Sequence, residues 1–182
     1  IQAAADLVDA EGLDALSLAR LADKLGVRTP SLYNHISSLD GVRHALAVRG
    51  TRELRDRLAR AAIGKNGEEG IFAVADAYRR FAKEHPGIYA ASLRAAIPGD
   101  SELIAPAEET MSIIRAVLAP YHLSDENFIH AARALRSLAH GFVSLELAGG
   151  FGIPVDIDTS YHTIVRMFAA SLRDAGNAQR ES

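Results

Sequence analysis

Residues 17–39 read SLARLADKLGVRTPSLYNHISSL, two short apolar-striped segments on either side of a glycine. The hydroxyl of Ser17 can accept from the free N–H groups of a helix's first turn. Leu18, Leu21, Ala22 and Leu25 follow at helical spacing and form one apolar stripe. Gly26 stands just past the last stripe residue, where a left-handed conformation favours glycine. Val27 is the expected apolar plug of the turn. Thr29-Pro30 then restarts a helix, a capping hydroxyl followed by proline at the first helical position. Helix, tight turn and helix form a helix-turn-helix, whose second helix enters the major groove of DNA.

Leu32 and Ile36, four residues apart, seat that second helix on its support. Arg28, Thr29, Ser31, Tyr33, Asn34 and His35 are left facing outward. They are short or flat donors and acceptors suited to phosphates and base edges. Pro30 offers an apolar contact of the kind a thymine methyl receives. A merely solvated polar helix is the plain alternative, but the preceding helix and turn stand in register with it.

The longer run LSLARLADKLGVRTPSLYNHISSLDGVRHAL, residues 16–46, resembles the DNA-binding domain of the TetR/AcrR family of bacterial transcriptional regulators. Leu16, Ser17, Leu21, Ala22, Leu25, Gly26, Val27, Leu32, Tyr33 and His35 carry the likeness. Leu39 stands where the family often has a phosphate-binding lysine. The resemblance implies Tyr33 and His35 on phosphates, with Arg28, Thr29, Ser31 and Asn34 nearer the bases. Ser17, at the start of the supporting helix, is placed for a further phosphate. It also implies a homodimer on palindromic double-stranded DNA and a repressor released by a small-molecule effector.

The chain has 182 residues, 48% of them hydrophobic and 24% charged, and no cysteine. That excludes a disordered chain, a disulfide framework and any thiolate zinc site. No run of eighteen apolar residues and no signal-peptide pattern occurs, so a cytoplasmic protein without a membrane span is expected. Alanine and leucine dominate and β-branched alternation is nearly absent, so the fold is expected to be all-α. A three-helix head and a helical bundle are its two parts. Charge runs against the DNA reading. Arg20, Lys24, Arg28 and Arg43 face Asp6, Asp9, Glu11, Asp14, Asp23 and Asp40, a net charge of −2 over residues 1–48, whereas DNA affinity rests largely on cations. The chain begins without methionine inside an amphipathic helix, so a lost upstream segment is expected, and the resemblance implies that it is a basic arm.

Taken in order, the head spans residues 1–48, the ligand-binding and dimerisation body 49–176, and a disordered tail 177–182. The first helix ends at Glu11-Gly12. The helix after the probe starts near Ser37 or Ser38, with Ser37 and Asp40 in the form of a capping box, and Gly50 interrupts it. Breakers at 64–70 form a loop, followed by a helix over about 69–84 and a short one from Pro86. Another helix runs from Ser101 or Pro106 to Leu118. Ser124 caps the longest apolar helix, whose Phe128, Ala131, Leu135, Leu138, Ala139, Phe142, Val143, Leu145 and Leu147 cover more than one face. Such a helix should be buried on most sides. Gly149-Gly150 ends it, and a last helix carries Tyr161, Ile164, Val165, Phe168 and Leu172.

The run LRSLAHGFVSLELAGGFG is similar to the WHG-type C-terminal domain of one branch of the same family, on His140-Gly141 and Leu145-Glu146. Arg136 sits where the tryptophan of that name is expected. Phe72, Tyr78, Phe81, Tyr89, Met111, Ile114, Arg115 and His140 are the candidate ligand-binding residues, since apolar side chains from several helices line cavities in bundles. The aromatic residues and Met111 also read as plain core, and His140 as a hydrogen-bonded core histidine. Tyr78, Tyr89, Arg115 and His140 are polar groups that could orient an otherwise apolar ligand. Leu138, Phe142, Leu145, Ile164 and Phe168 are the candidate dimerisation residues. No catalytic residue, metal site or cofactor is expected, since the histidines are dispersed and no H-E-x-x-H occurs. A helical-bundle enzyme and a protein-interaction adaptor remain as alternatives.

Overall fold

The computed structural model describes residues 1–94 and 96–178, which hold nine α-helices and no strand. They group into two compact units. One comprises Ile1–Arg55 with Glu84–Ala107; the other comprises Asp56–Lys83 with the described residues from Glu108 on. The divisions therefore fall inside three helices, and not at the boundary after residue 48 that the sequence suggests. A stretch from the middle of the chain belongs with the N-terminal unit.

The N-terminal unit begins with α1 (Gln2–Glu11), which buries Ala4, Ala5, Leu7 and Val8. It ends at Gly12, where φ is 86°, as the acid–glycine pair predicts. A 3-10 turn at Leu13–Ala15 leads to α2 (Leu18–Leu25). Ser17 Oγ accepts the Arg20 N–H at 3.3 Å, the expected N-cap. Gly26 is left-handed (φ 67°, ψ 28°); its N–H reaches Asp23 O, and Val27 N–H reaches Ala22 O at 3.0 Å. This pair of bonds closes the helix as a Schellman motif. Val27 is 44% exposed and Leu25 49% exposed, so neither plugs the turn. The backbone bonds close it without them.

Helix α3 (Thr29–Leu32) is a single turn. Arg28, not Thr29, occupies the N-cap, and no side chain caps it, so the start lies one residue earlier than the hydroxyl suggested. Past Leu32, the N–H groups of His35 and Ile36 both return to Leu32 O, at 2.8 and 3.0 Å. Helix α4 (Leu39–Ala62) starts with Ser38 Oγ accepting the Gly41 N–H at 3.0 Å, so Ser38 and not a Ser37–Asp40 box caps it. It runs unbroken through Gly50. That glycine is a close-approach site: a Cβ there would lie 2.7 Å from Ile88 O and 2.9 Å from Ser92 Cβ. Ile88 belongs to α6 (Pro86–Ala91), which packs on α1 as well.

The second unit contains most of α5 (Gly67–Glu84), α7 (Ser101–Leu118) from Glu108 onward, α8 (Asp125–Leu147) and α9 (Ile157–Ala178). Pro106 lies inside α7 and does not start it. Ser124 Oγ caps α8 by accepting Asn127 N–H, and Gly149 (φ 68°) closes it. Helix α9 lies along α5: Tyr161 Oη donates to Ala75 O at 2.7 Å, His162 meets Asp76 at 3.0 Å, and Arg173 meets Glu68 at 2.8 Å. The tail expected from residue 177 is helical through Ala178; residues 179–182 lie outside the described part. Helix α8 is not buried on most sides, because Leu145 and Leu147 are 53% and 46% exposed.

Candidate nucleic-acid interface and effector body

The N-terminal unit turns one face of residues 28–35 outward. Leu32 is buried and Ile36 half-buried, as a seat requires. Around them Arg28, Pro30, Ser31, Tyr33, Asn34 and His35 are exposed, and Thr29 is half-buried. Tyr33 is 58% exposed, so its ring and hydroxyl are open to a partner. Ser17 already accepts the Arg20 N–H, so its hydroxyl proton is what it can offer a phosphate oxygen. Two of the acids in this unit are engaged within it. Glu11 is paired with Arg20, and the Asp9 carboxylate is only 20% exposed and turned onto α6.

The candidate ligand-binding residues divide. Tyr78, Phe81 and Ile114 are buried in the second unit, and Phe72, Met111 and His140 are half-buried there. His140 Nδ1 stands 3.5 Å from Ser144 Oγ, one turn further along α8. Arg115 is a correction. It lies on the surface, bonded to Asp125 at 2.9 Å and resting 4.0 Å above the Phe128 ring, because a guanidinium keeps its hydration when an exposed carboxylate is at hand. Tyr89 is buried in the other unit, on α6.

Among the candidate dimerisation residues, Leu145 is exposed and Leu138, Ile164 and Phe168 are half-buried. Phe142 is the second correction. It points into its own unit, with ring centroids 4.7 Å from Phe151 and 5.0 Å from Tyr161. Met167, at 66% exposed, joins the open face instead. Helical periodicity alone could not separate these two faces, since both are apolar.

Reading the sequence also missed the charged centre of the second unit. Arg79 is 8% exposed within the apolar stripe of α5. Its Nε and Nη2 donate to Glu146 at 2.7 and 2.8 Å, and Nη2 also meets Asp158 at 2.8 Å. The guanidinium lies 4.8 Å from the Tyr161 ring centroid and 5.6 Å from that of Phe142. Lys83 adds a second cation on Glu146. The hydrogen bond from Arg79, chiefly, holds the Glu146 carboxyl below its ordinary range, against the opposing effect of burial. An arginine among stripe residues was the available signal; its partners, 67 and more residues away, were not visible. A recess of about 300 Å³ opens beside this centre, lined by Phe142, Phe151, Ile153, Val155 and Ile157 with flanking glycines. None of the candidate ligand-binding residues lines it. Among the described residues, no group of three or more His, Asp or Glu side chains could hold a metal ion, and no helix is long and apolar enough to cross a membrane.

The chain is similar to known proteins over nearly its whole length. Residues 71–168 match the family described as "Tetracyclin repressor-like, C-terminal domain", a span that contains Arg79, His140 and Glu146. The chain is 37% identical over 172 residues to the HTH-type transcriptional regulator YobS of Bacillus subtilis (strain 168), covering 94% of this chain and 90% of that protein. It is 35% identical over 173 residues to the HTH-type transcriptional regulator Rv0681 of Mycobacterium tuberculosis (strain ATCC 25618 / H37Rv), covering 94% and 79%. Its fold is shared with a TetR variant from Acinetobacter baumannii AYE solved in complex with minocycline, at a TM-score of 0.70 and 19% identity, covering 96% of this chain and 94% of that one. Both of the relatives compared by sequence are HTH-type transcriptional regulators. The outward-facing helix-turn-helix segment and the matching C-terminal body thus belong to one known design: the chain is a member of the TetR family of transcriptional regulators.

Proposed function

We propose that this regulator is a cytoplasmic homodimeric repressor that leaves a palindromic operator when a small, largely apolar effector binds its second unit. The observation that carries the DNA half is the exposed set Arg28, Pro30, Ser31, Tyr33, Asn34 and His35 around a buried Leu32. Tyr33 and His35 take phosphates; Arg28, Thr29, Ser31 and Asn34 read base edges; Pro30 meets a thymine methyl; Ser17 donates to a further phosphate. Sites selected from random DNA should be palindromes, with half-sites separated by about 34–36 Å or a multiple. Tyr33→Ala should weaken all duplexes alike, while Asn34→Ala should alter preference among them. Unchanged operator affinity in Tyr33→Ala at moderate salt would refute the assignment.

The dimer would form through the open apolar face of α8 and α9, with Leu138, Leu145, Ile164 and Phe168, joined by Met167. Leu145→Asp should give monomers or aggregates. A stable wild-type monomer at micromolar concentration would refute it. For the effector, Phe72, Tyr78, Phe81, Met111, Ile114 and His140 supply an apolar lining with few polar groups. Helix α4 contributes residues to both units, and its tilt is the proposed link between effector and DNA. An effector shifts that link only by its differential affinity for the two states, and DNA must weaken the effector by the same factor.

A further inference from the structure

Helix α6 lacks a cap of its own. Its N-cap residue, His85, makes no side-chain bond to the first turn, and Pro86 has no N–H to offer. The next two donors, Gly87 N–H and Ile88 N–H, both reach Asp9 Oδ1 at 2.9 Å. Asp9 Oδ2 stands 3.0 Å from His85 Nδ1. Gly87 is buried and Ile88 is 1% exposed, so water cannot replace that acceptor. The backbones meet as well. A Cβ on Gly87 would lie 2.1 Å from Val8 O and 2.6 Å from Asp9 N, so α6 sits directly on the main chain of α1. On its other side, Gly50 of α4 makes room for Ile88 O. From this clamp the packing continues from α1 to α2 and from α2 to α3, all within the N-terminal unit.

We propose that Asp9 is a positioning residue for DNA recognition: by capping α6 from α1, its carboxylate holds α1, and through α2 it sets the angle of residues 28–35 on the operator. This rests on the DNA reading of those residues. If α6 and the recognition segment are coupled in this way, the coupling is reciprocal, and bound operator tightens the Asp9 cap.

The test uses the full chain, the duplex that wild type selects from random DNA, and an unrelated duplex of equal length. Amide exchange at Gly87 and Ile88 is followed with and without the selected duplex. In wild type, that duplex should slow exchange at both amides. Asp9→Ala should lose about tenfold or more in affinity for the selected duplex, the size of a typical coupling, and about twofold or less for the unrelated one. The operator-linked slowing should vanish with it. Asp9→Asn keeps an acceptor oxygen for the two N–H groups and should recover most of the affinity. Equal losses on both duplexes would overturn the proposal, since they would mean a purely structural role. So would full operator affinity in Asp9→Ala, or wild-type amides indifferent to the operator. Should Asp9→Ala fail to fold, the wild-type exchange and the Asp9→Asn affinity decide alone. Wild-type affinity in Tyr33→Ala is a separate outcome that overturns the DNA reading itself and this proposal with it.

Discussion

The two units each join distant parts of the chain, and they do it by different physics. In the N-terminal unit, α1 and α6 meet through a carboxylate that accepts two backbone N–H groups, across a gap that only glycine leaves open. In the second unit, α5 and α8 meet through Arg79 and Glu146, side chains 10% and 11% exposed, with Asp158 and two aromatic rings completing the shell. The first joint is limited by space. The second is limited by charge, because a desolvated ion is tolerable only while its partners are present. The head should therefore be sensitive to added atoms and the body to lost partners.

Removing one partner in the body is the largest effect expected. Glu146→Ala leaves the Arg79 guanidinium buried with only Asp158, and Asp158 is itself mostly exposed. A loss of about 3–5 kcal/mol is expected, read as a lower urea midpoint with an unchanged slope. Replacing both, as in Arg79→Met with Glu146→Leu, should restore most of it, since apolar isosteres of a buried pair cost little. The pair also gives the body an acid limb. Glu146 titrates below its ordinary value in the folded chain, so its contribution is whole above the unfolded carboxyl's pKa and is lost as pH falls through the depressed one. The double variant should flatten that limb. If the double variant proved as unstable as the single one, the charge argument for the body would fail.

In the head, adding one methyl is the corresponding test. Gly87→Ala would place a Cβ against the Val8 carbonyl, which no side-chain rotation can relieve. Backbone movement of this kind costs about 1–3 kcal/mol or more, and operator affinity should fall with it. Gly50→Ala meets the Ile88 carbonyl at 2.7 Å and Ser92 Cβ at 2.9 Å, and should cost less because the overlap is smaller than the 2.1 Å approach at Gly87. By contrast Gly26→Ala has open space around its Cβ and is strained only by its left-handed φ, so a smaller loss of about 1 kcal/mol is expected. The order Gly87, Gly50, Gly26 in thermal midpoint checks whether space or backbone angle governs the head.

These joints also mark how far the sequence can be read. Ser17, Gly26 and the apolar stripe from Leu18 to Leu25 are local signals, and a cap or a C′ glycine means the same thing wherever it occurs. The helix-turn-helix was legible for that reason. Gly50 was misread as a break because a glycine inside a helix signals weakness unless its neighbour in space is known. In the sequence Asp9 enters only the charge balance of residues 1–48, because its partners lie 78 and 79 residues on. Phe142 and Leu145 are both apolar on α8, yet one faces Tyr161 and the other solvent. A periodic pattern tells which positions are apolar and not which of two neighbours will cover them. Arg115 is, from the sequence, a polar group that could orient an apolar ligand, but Asp125 and the Phe128 ring supply it with an exposed seat.

The smallest effect concerns a neutral group in the same charged centre of the body. Tyr161 is fully buried, and its hydroxyl donates to Ala75 O at 2.7 Å. Burial, reinforced by the nearby Asp76 and partly opposed by Arg79, pushes the phenol well above its ordinary value near 10. A raised folded pKa means that the contribution is whole below about pH 10 and is lost as pH rises from there toward the folded value, because the unfolded phenol ionises first. Tyr161→Phe removes one hydrogen bond at a cost of about 0.5–1.5 kcal/mol at neutral pH, and the ring contacts with Phe142 and Arg79 can survive. The variant should then lose less stability than wild type between pH 9 and 11, so the two denaturation curves should approach each other as pH rises. Tyr121 is also shifted upward by burial and keeps part of the alkaline limb in both proteins. Curves that stay parallel across that range would show that Tyr161 is not held neutral by its surroundings, and that the body's charged centre stops at Arg79, Glu146 and Asp158.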